Sequence, residues 1–406
     1  MNQNTRFFLA SCIALIVTAM SFAIRGDIMG ALGLQFTLSK EQLGWIAGTA
    51  FWGFTLAMVF GGPLCDVIGM GRLLSAAFVG HVAGIVLTIF ATDFWTLYFG
   101  TLLIGLGNGF VEAACNPLIA TIYPNNKTEK LNHFHVWFPG GIVIGGLIAF
   151  GFSKINLGWQ FKMATMLLPA IAYGLLFFGQ KFPRTERVAS GVTTGEMFKS
   201  CVGPLFILLV VCMLMTAATE LGPGQWIANI LEGSIKDMAG AGILVLVWIN
   251  GIMALGRQFA GPVVHKLSPP GMLVLSALLA GIGLLLLSFA NSTITAFGAA
   301  TIYALGICYF WPTMLGVTSE RVPRSGALGL AIMGGAGMLS VSLILPFMGR
   351  IYDAEGASMA LQYVAILPAI LVLIFGMLYL RDRGQGGYHK ESLLIDRKAG
   401  GLGVVK

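Results

Sequence analysis

Charged residues are scarce in this sequence. Only 10% of its 406 residues are Asp, Glu, Lys or Arg, whereas about 25% of an ordinary soluble domain is charged. Hydrophobic residues make up 57% of the chain, and the mean hydropathy is +0.85. Because each membrane crossing needs roughly 20 apolar residues, this composition excludes a soluble domain and indicates a protein that crosses a lipid bilayer many times.

The sequence also lacks the motifs of familiar catalytic and metal sites. It contains no Walker-type phosphate loop, no nucleophile elbow and no Cys-x-x-Cys pair. His133 and His135 are two residues apart, whereas metal ligands on one helical face are usually four apart. These absences argue against an enzyme, a metal centre, a cofactor and an ATP-driven pump. The six cysteines are scattered and are expected to be reduced hydrophobic side chains: Cys12, Cys65, Cys115, Cys201, Cys212 and Cys308.

The net charge of +7 comes from basic residues in short loops between apolar segments. This distribution is typical of a topology signal and not of a face that binds nucleic acid. The first apolar segment is too long for a signal peptide, and no cleavage site of the A-x-A type follows it. We therefore interpret it as a retained helix.

Twelve apolar segments of helical length follow one another along the chain. Six precede a charged linker at 180–202 and six follow it, with a basic tail at 381–406. The expected fold is an all-α membrane protein with twelve transmembrane helices in two six-helix bundles, 1–179 and 203–380. The predicted helices are Phe7–Leu34, Leu43–Leu64, Leu73–Thr92, Trp95–Tyr123, His135–Phe152, Phe161–Gly179, 203–231, 241–264, 271–290, 293–317, 327–349 and 358–380.

The basic residues favour one orientation in the membrane. Because short cytoplasmic loops carry an excess of Lys and Arg, we expect both termini and the linker in the cytoplasm, and the protein in the inner cell membrane. One side carries Arg6, Arg72, Lys127, Lys130, the linker, Lys266, Arg321, Arg324 and the tail, whereas the other carries Lys40, Lys154, Lys162, Lys236 and Arg350.

The two halves of the sequence resemble each other. Gly61-Gly62-Pro63-Leu64 ends predicted helix 2 as Ala260-Gly261-Pro262-Val263 ends predicted helix 8, an offset of 199 positions. Leu106-Gly107 and Leu305-Gly306 are related by the same offset. A repeat of half the chain is typical of transporters built from two parallel repeats.

Predicted helices 4 and 5 carry polar residues at membrane depth. Asn108, Glu112 and Asn116 recur every fourth residue, and Asn132 and His135 are three apart, so each set is expected to share a helix face. An ionisable group at this depth usually faces a bundle interior or a water-filled cavity. The alternative for each Asn is a hydrogen bond that joins two helices.

The end of predicted helix 2, Gly62-Pro-Leu-Cys-Asp66-Val-Ile-Gly69-Met-Gly-Arg72, resembles the loop 2–3 signature of the major facilitator superfamily. Met70 stands at a position where the family has a cation, and Arg72 remains. The resemblance implies a cytoplasmic latch. We expect Asp66, Gly69 and Arg72 to act in this gate, together with Arg257 at the inner end of predicted helix 8.

A second resemblance covers both halves: the chain is similar to the fucose/glucose–galactose:proton symporter branch of that superfamily. It implies proton coupling by Asp27 and Glu112. The motifs are Ile24-Arg-Gly-Asp27-Ile-Met-Gly-Ala, Gly109-Phe-Val-Glu112-Ala-Ala-Cys-Asn116-Pro117, Leu131-Asn132-His133-Phe134-His135, Ala218-Thr-Glu220-Leu-Gly-Pro-Gly224-Gln-Trp226-Ile-Ala-Asn229, Gly256-Arg257-Gln-Phe-Ala-Gly261 and Phe310-Trp311-Pro312. The expected solute-binding residues are Asn108, Glu112, Asn116, Asn132, His135, Glu220, Gln225, Trp226, Asn229, Asn250 and Trp311.

Several of these residues have an alternative interpretation. Glu112 or Asp27 could be held in an ion pair with Arg25. Glu220, beside the helix-breaking sequence Gly-Pro-Gly, could be a gate or a solvated residue at an outer kink. Each Trp could anchor a helix at the membrane interface, and Arg257 could bind a phosphate or carboxylate.

The expected function is proton-coupled uptake of a neutral polar solute, with a hexose-type sugar as the leading candidate and H⁺ as the coupling ion. The protein is expected to be a monomer in the bilayer, without a nucleic-acid partner. One alternative is a proton-independent facilitator or an exporter of another small organic solute. Another is a sensor that binds its solute without moving it, although the 26-residue tail after Leu380 is short for a signalling domain.

The orientation can be tested with reporter fusions. Fusions after Gly179 and at the C-terminus should behave as cytoplasmic, and a fusion near Asn291 as external, because the basic loops are expected to stay inside. A cytoplasmic signal at Asn291 would contradict the twelve-helix topology.

Overall fold

The computed structural model describes residues 2–38, 40–189, 191–235 and 241–391. Within these ranges the regular structure is helical, without a β-strand. The α-helices are α1 (Gln3–Gln35), α2 (Lys40–Ile68), α3 (Met70–Ile89), α4 (Phe94–Ile122), α5 (Lys127–His135), α6 (Trp137–Lys154), α7 (Trp159–Ala164), α8 (Leu167–Phe177), α9 (Glu186–Ala189), α10 (Thr194–Cys201), α11 (Pro204–Ser234), α12 (Ala241–Gln258), α13 (Ala260–Ser288), α14 (Thr293–Ile307), α15 (Phe310–Arg321), α16 (Gly326–Glu355) and α17 (Ala357–Gly384).

Eleven stretches within the described ranges are long and apolar enough to cross a membrane. A shorter apolar helix, Leu244–Gln258, lies between two of them and provides the remaining crossing. Large apolar side chains such as Ile294 and Leu168 are exposed, and lipid tails would cover them. The predicted all-α fold with twelve transmembrane helices is therefore confirmed.

A proline follows each of four interruptions of the membrane helices, although α2, α4, α11 and α17 run through a proline without a break. A proline has no N–H and cannot bond the carbonyl four residues earlier, so a helix breaks there readily. Predicted helix 8 (241–264), for example, is interrupted at Phe259 between α12 and α13, and α13 itself contains a non-helical residue, Ser268, with a φ of 62°. At four breaks, a backbone carbonyl lacks its helical donor because a proline stands four residues later. The carbonyls belong to His135, Thr165, Gln258 and Cys308, and the prolines are Pro139, Pro169, Pro262 and Pro312, respectively.

The sequence repeat appears as a repeated packing contact. A Cβ on Gly107 of α4 would lie 2.5 Å from the His81 ring of α3, and a Cβ on Gly306 of α14 would lie 2.2 Å from the backbone N of Ala280 of α13. The offset is 199 positions for both members of the pair. Corresponding helices of the two halves thus cross closely at corresponding glycines.

The first half (α1–α8, the N-half) and the second half (α11–α17, the C-half) pack together on the side where α1 begins and α17 ends, here called the terminal side. Gly62 of α2 allows this approach, because a Cβ there would lie 2.5 Å from the Cβ of Ala331 on α16. Gly316 of α15 likewise lies against Thr128 of α5. The two halves are therefore in close contact on the terminal side.

The crossing of α13 and α14 predicts a sharp difference between two glycines of the same helix. Gly306→Ala should lower the melting temperature, because its methyl group would meet backbone that cannot yield; overpacking typically costs about 1–3 kcal/mol. Gly298→Ala is the matched control, because nothing lies within 4 Å of a Cβ there. Equal melting temperatures for the two variants in the same detergent would contradict so close a crossing of the two helices.

Candidate functional site

Glu112, Asn116 and His135 form a buried polar cluster on α4 and α5. The Asn116 side-chain amide donates to Glu112 Oε2 at 2.6 Å. Its Oδ1 therefore faces His135 and accepts from Nε2, at 3.1 Å. His135 Nε2 lies 3.8 Å from Glu112 Oε2. The structure thus brings together three residues that the sequence proposed for one site.

Asn108 lies outside this cluster, which corrects the expectation of one shared face. Its amide donates to Ser21 Oγ of α1 at 3.0 Å, and its Oδ1 lies 2.9 Å from His81 Nε2 of α3. A step of four residues overshoots a helical turn by about 40°, so two steps rotate the side chain by about 80°. Asn108 consequently joins helices within the N-half, with the His81 ring extending the network to the Tyr173 hydroxyl.

Arg257, at the end of α12, lies buried between the halves with only 1% of its surface exposed. Its Nη2 donates to Glu220 Oε1 of α11 at 2.7 Å, and its Nε donates to the carbonyl of Cys308 at 2.5 Å. Its Nη1 reaches across to the N-half and donates to the carbonyl of His135 at 2.9 Å. One guanidinium thus joins three elements, one of them in the other half.

Both carbonyls that Arg257 bonds are free because of prolines. Pro139 leaves the carbonyl of His135 without a helical donor, and Pro312 does the same for Cys308. A buried carbonyl without a donor is costly, so a donor from elsewhere is needed. The fork of the guanidinium supplies it at both positions, which explains why the broken ends of α5 and α14 can stay buried.

Glu220 is buried as well, with 4% exposure, so the alternative of a solvated residue at an outer kink is wrong. Pro223 leaves the carbonyl of Thr219 without its helical donor. The Tyr303 hydroxyl of α14 contacts this carbonyl at 2.7 Å and that of Glu220 at 3.1 Å. While Oε1 pairs with Arg257, Glu220 Oε2 has no hydrogen-bond partner among the described residues.

Helix α5 makes further bonds to the C-half. His133 Nε2 lies 3.1 Å from the carbonyl of Gln258, which Pro262 leaves free, and therefore serves as its donor. The Asn132 amide donates to Thr313 Oγ1 of α15 at 3.2 Å. Together with Arg257 and His135, these contacts make α5 and the ends of α12 and α14 a joint between the halves. Asn132, expected to bind solute, lies in this joint.

Asp27 pairs with Lys162, a cation that the sequence analysis counted only among the basic residues of one membrane side. Lys162 Nζ of α7 lies 2.5 Å from Asp27 Oδ2. Arg25, the suspected ion-pair partner, instead lies over the Phe22 and Phe51 rings, 4.9 and 5.7 Å from their centroids. The alternative of an ion pair therefore applies to Asp27, with Lys162 in place of Arg25, and the proton-coupling role of Asp27 stays a prediction. Lys162 lies three residues after the first residue of α7. Its position as a cation within an apolar segment was the sequence signal that could have identified it as the partner.

The two tryptophans pack mainly within the C-half. The Trp226 ring meets Tyr352 edge to face, with 5.9 Å between centroids, and lies against Gly349. Trp311 is buried against Gly337, where a Cβ would lie 2.5 Å from its ring. The binding of a solute by Trp226 and Trp311 therefore stays a prediction.

Three further candidates lie on α11 and α12. The side chains of Gln225 and Asn229 fall outside the described part of the structure. The Asn250 amide donates to the carbonyl of Leu246 one turn earlier at 2.9 Å. Asn250 lies seven residues before Arg257, so the two occupy nearly the same face of α12.

The latch residues lie at the terminal side, near the linker. Asp66 Oδ1 accepts from the Thr185 hydroxyl at 2.5 Å, which ties the end of α2 to the linker. Gly69 caps α3 with a φ of 90°, a conformation that favours glycine. Arg72 is exposed and forms no ion pair with the described residues. The gating roles of these residues and of Arg257 stay predictions.

Tyr303 and His81 were not singled out by the sequence analysis. Prolines indicate that a carbonyl needs a donor, but not which helix supplies it.

Among the described residues, no group of three His, Cys, Asp or Glu side chains is placed to hold a metal ion.

Comparisons with known proteins agree with this architecture. Residues 7–268 match the model of the Major Facilitator Superfamily. The chain is 24% identical to the 3-(3-hydroxy-phenyl)propionate transporter of Escherichia coli, over 95% of this chain and 97% of that protein. It is 23% identical to the cis,cis-muconate transport protein of Acinetobacter baylyi, over 93% and 94%. The solved fucose:proton symporter of Escherichia coli superposes with a TM-score of 0.75 at 16% identity, over 91% of this chain and 98% of that one.

Removing Arg257 should strongly destabilise the protein. Arg257→Met leaves the Glu220 carboxylate buried without its cation, and breaking a buried pair in this way costs about 3–5 kcal/mol. The double variant Arg257→Met/Glu220→Gln should recover part of the loss, because it also removes the buried charge. The measurement is the melting temperature in detergent.

Lys266→Met is the control, because it removes an exposed cation close to Arg257 in sequence. If Arg257→Met melted at the same temperature as Lys266→Met, the buried pair of Arg257 and Glu220 would not contribute to the stability of the protein.

Proposed function

Since the chain belongs to the major facilitator superfamily, we propose that it is a secondary transporter that takes up a hexose-type sugar together with protons by alternating access. It is a multi-pass membrane transporter of a small molecule and not an enzyme. The observation that carries the proposal is the buried carboxyl of Glu112, which has neutral hydrogen-bonding partners at the meeting point of the halves.

The surroundings of Glu112 support a proton carrier. Its carboxyl is 2% exposed and accepts from the neutral amide of Asn116. No Lys or Arg nitrogen of the described residues lies within ion-pair distance of it. His135 donates from Nε2 to Asn116, a bond that the neutral ring can make. Without a nearby cation, a buried carboxyl is more stable in its protonated form than in its ionised form. It can release the proton when water enters the site.

The polar groups at the site suit a neutral solute with several hydroxyls. Arg257 already bonds Glu220 and two carbonyls. Among the described residues, the site therefore has no unpaired cation that would favour an anionic solute. Beside Arg257, Glu220 Oε2 is a buried atom without a hydrogen-bond partner among the described residues and offers an acceptor to a solute hydroxyl.

A small organic acid is the second candidate. Two relatives that span more than nine-tenths of the chain carry, by name, 3-(3-hydroxy-phenyl)propionate and cis,cis-muconate. If Glu220 took up a proton, Arg257 could exchange it for the carboxylate of a solute, since a guanidinium binds carboxylates in a two-pronged geometry. One proton would then accompany each carboxylate.

Residence in the cell membrane and cytoplasmic termini are part of the same proposal, and rest on the distribution of basic residues. The division into 1–179, 180–202, 203–380 and 381–406 and a monomeric state are proposed with them.

Transport by the purified protein in proteoliposomes tests the function directly. Labelled hexoses, pentoses and aromatic or aliphatic acids are offered with and without an inward proton gradient, and empty liposomes are the control. We expect a hexose to be concentrated only with the gradient. Concentration of acids alone would favour the second candidate. Equal uptake without the gradient would contradict proton coupling.

Two variants should separate the roles of the acids. Glu112→Gln keeps the shape but fixes the neutral state, so it should weaken solute binding by up to about tenfold, the effect of one lost hydrogen bond of roughly 0.5–1.5 kcal/mol, or remove the pH dependence of binding. Asp27→Asn should spare binding and exchange but abolish concentration by a proton gradient. Binding is measured over about pH 5 to 9, where a coupling carboxyl would titrate, and uptake alongside.

Lys162→Met is the matched control for Asp27, because it removes the cation of the pair and keeps the carboxyl. If Asp27→Asn still concentrates the solute, Asp27 is structural and serves to hold Lys162. The proton role then falls to Glu112 or Glu220.

A further inference from the structure

The seven residues that follow the last membrane helix, Gln385–Glu391, fold back onto the end of α15. The Tyr388 hydroxyl donates to Glu320 Oε2 at 2.8 Å. The backbone N–H of Glu391 donates to the carbonyl of Glu320, also at 2.8 Å. Glu320 is 2% exposed, so the segment contacts a buried carboxylate.

Arg321 holds the same segment from the neighbouring position. Its guanidinium lies over the Tyr388 ring, 4.6 Å from the centroid. It also forms an ion pair with Asp382 in the last turn of α17. Burial, together with the nearby Glu320 carboxylate, raises the pKa of Tyr388 well above its ordinary value, so the hydroxyl remains a donor.

The segment also reaches the N-half. Lys390 Nζ lies 3.3 Å from Glu320 Oε1 and donates to the carbonyl of Asn125, just before α5, at 3.4 Å. Glu320 Oε1 in turn accepts from the backbone N–H of Thr128 in α5, at 3.4 Å. The segment and Glu320 thus connect α15 and α17 of the C-half with the start of α5.

We propose that Gln385–Glu391 is a strap that holds the terminal side closed by keeping Glu320 in contact with α5. The contact with Thr128 needs the Glu320 carboxylate to point at α5, and Tyr388 and Lys390 fix both of its oxygens. When the halves part on the terminal side, Lys390 must leave Asn125 and Glu320 must leave Thr128. The strap therefore biases the protein towards the state in which the terminal side is shut, whatever the solute.

Hydrogen exchange of the intact protein in lipid nanodiscs tests this without a known solute. Tyr388→Phe/Lys390→Gln removes the Tyr388 hydroxyl and the positive charge that face Glu320, and keeps the aromatic ring on Arg321. Segment 125–135 should then exchange about tenfold faster than in the wild type, a shift equivalent to roughly 1.4 kcal/mol. Glu320→Gln should give a rise of the same sign, and the single variants Tyr388→Phe and Lys390→Gln smaller ones.

His389→Ala is the matched control, because the His389 ring contacts the carbonyl of Gln385 within the strap itself. It should leave exchange at 125–135 unchanged. If the double variant exchanged like His389→Ala in that segment, the strap would not hold the terminal side closed. A rise spread evenly over the membrane helices would also overturn the proposal, because it would show a general loss of stability instead of an opening on the terminal side.

Discussion

The guanidinium of Arg257 is the interaction on which the joint between the halves depends. Prolines free the carbonyls of His135 and Cys308, and both carbonyls are buried where water cannot replace the missing donor. A lysine could not take this place, because one ammonium lacks the planar fork that reaches several acceptors at once. The Glu220 carboxylate balances the charge, so the cation is tolerated in the interior.

The same principle recurs nearby with other donors. The imidazole of His133 reaches the carbonyl freed by Pro262, and the hydroxyl of Tyr303 reaches the one freed by Pro223. Broken helices in a membrane are stable only when neighbours satisfy the exposed backbone groups. The bond from His133 to the Gln258 carbonyl crosses from the N-half, and the bond from Arg257 to the His135 carbonyl crosses from the C-half. The carbonyls that prolines leave without a donor in one helix thus form hydrogen bonds to a neighbouring helix.

The sequence predicted the number, order and type of the helices because a bilayer demands long apolar segments. It also predicted the grouping of Glu112, Asn116 and His135, since polar residues at membrane depth are few. It could not predict that Lys162 pairs with Asp27 or that Tyr303 supports α11. Those contacts join helices far apart in the chain, and their geometry depends on rotations of a few tens of degrees that local periodicity does not specify.

His135 links the two buried carboxyl groups of the site. Its side chain bonds Asn116, the partner of the Glu112 carboxyl, while its carbonyl accepts from Arg257, the partner of Glu220. A shift of α5 that separates this carbonyl from Arg257 would also move the ring away from Asn116. The proton state of Glu112 and the closure of the joint would then change together, because one residue holds both. Coupling of this kind needs no long pathway through the protein, since the two sites share a residue.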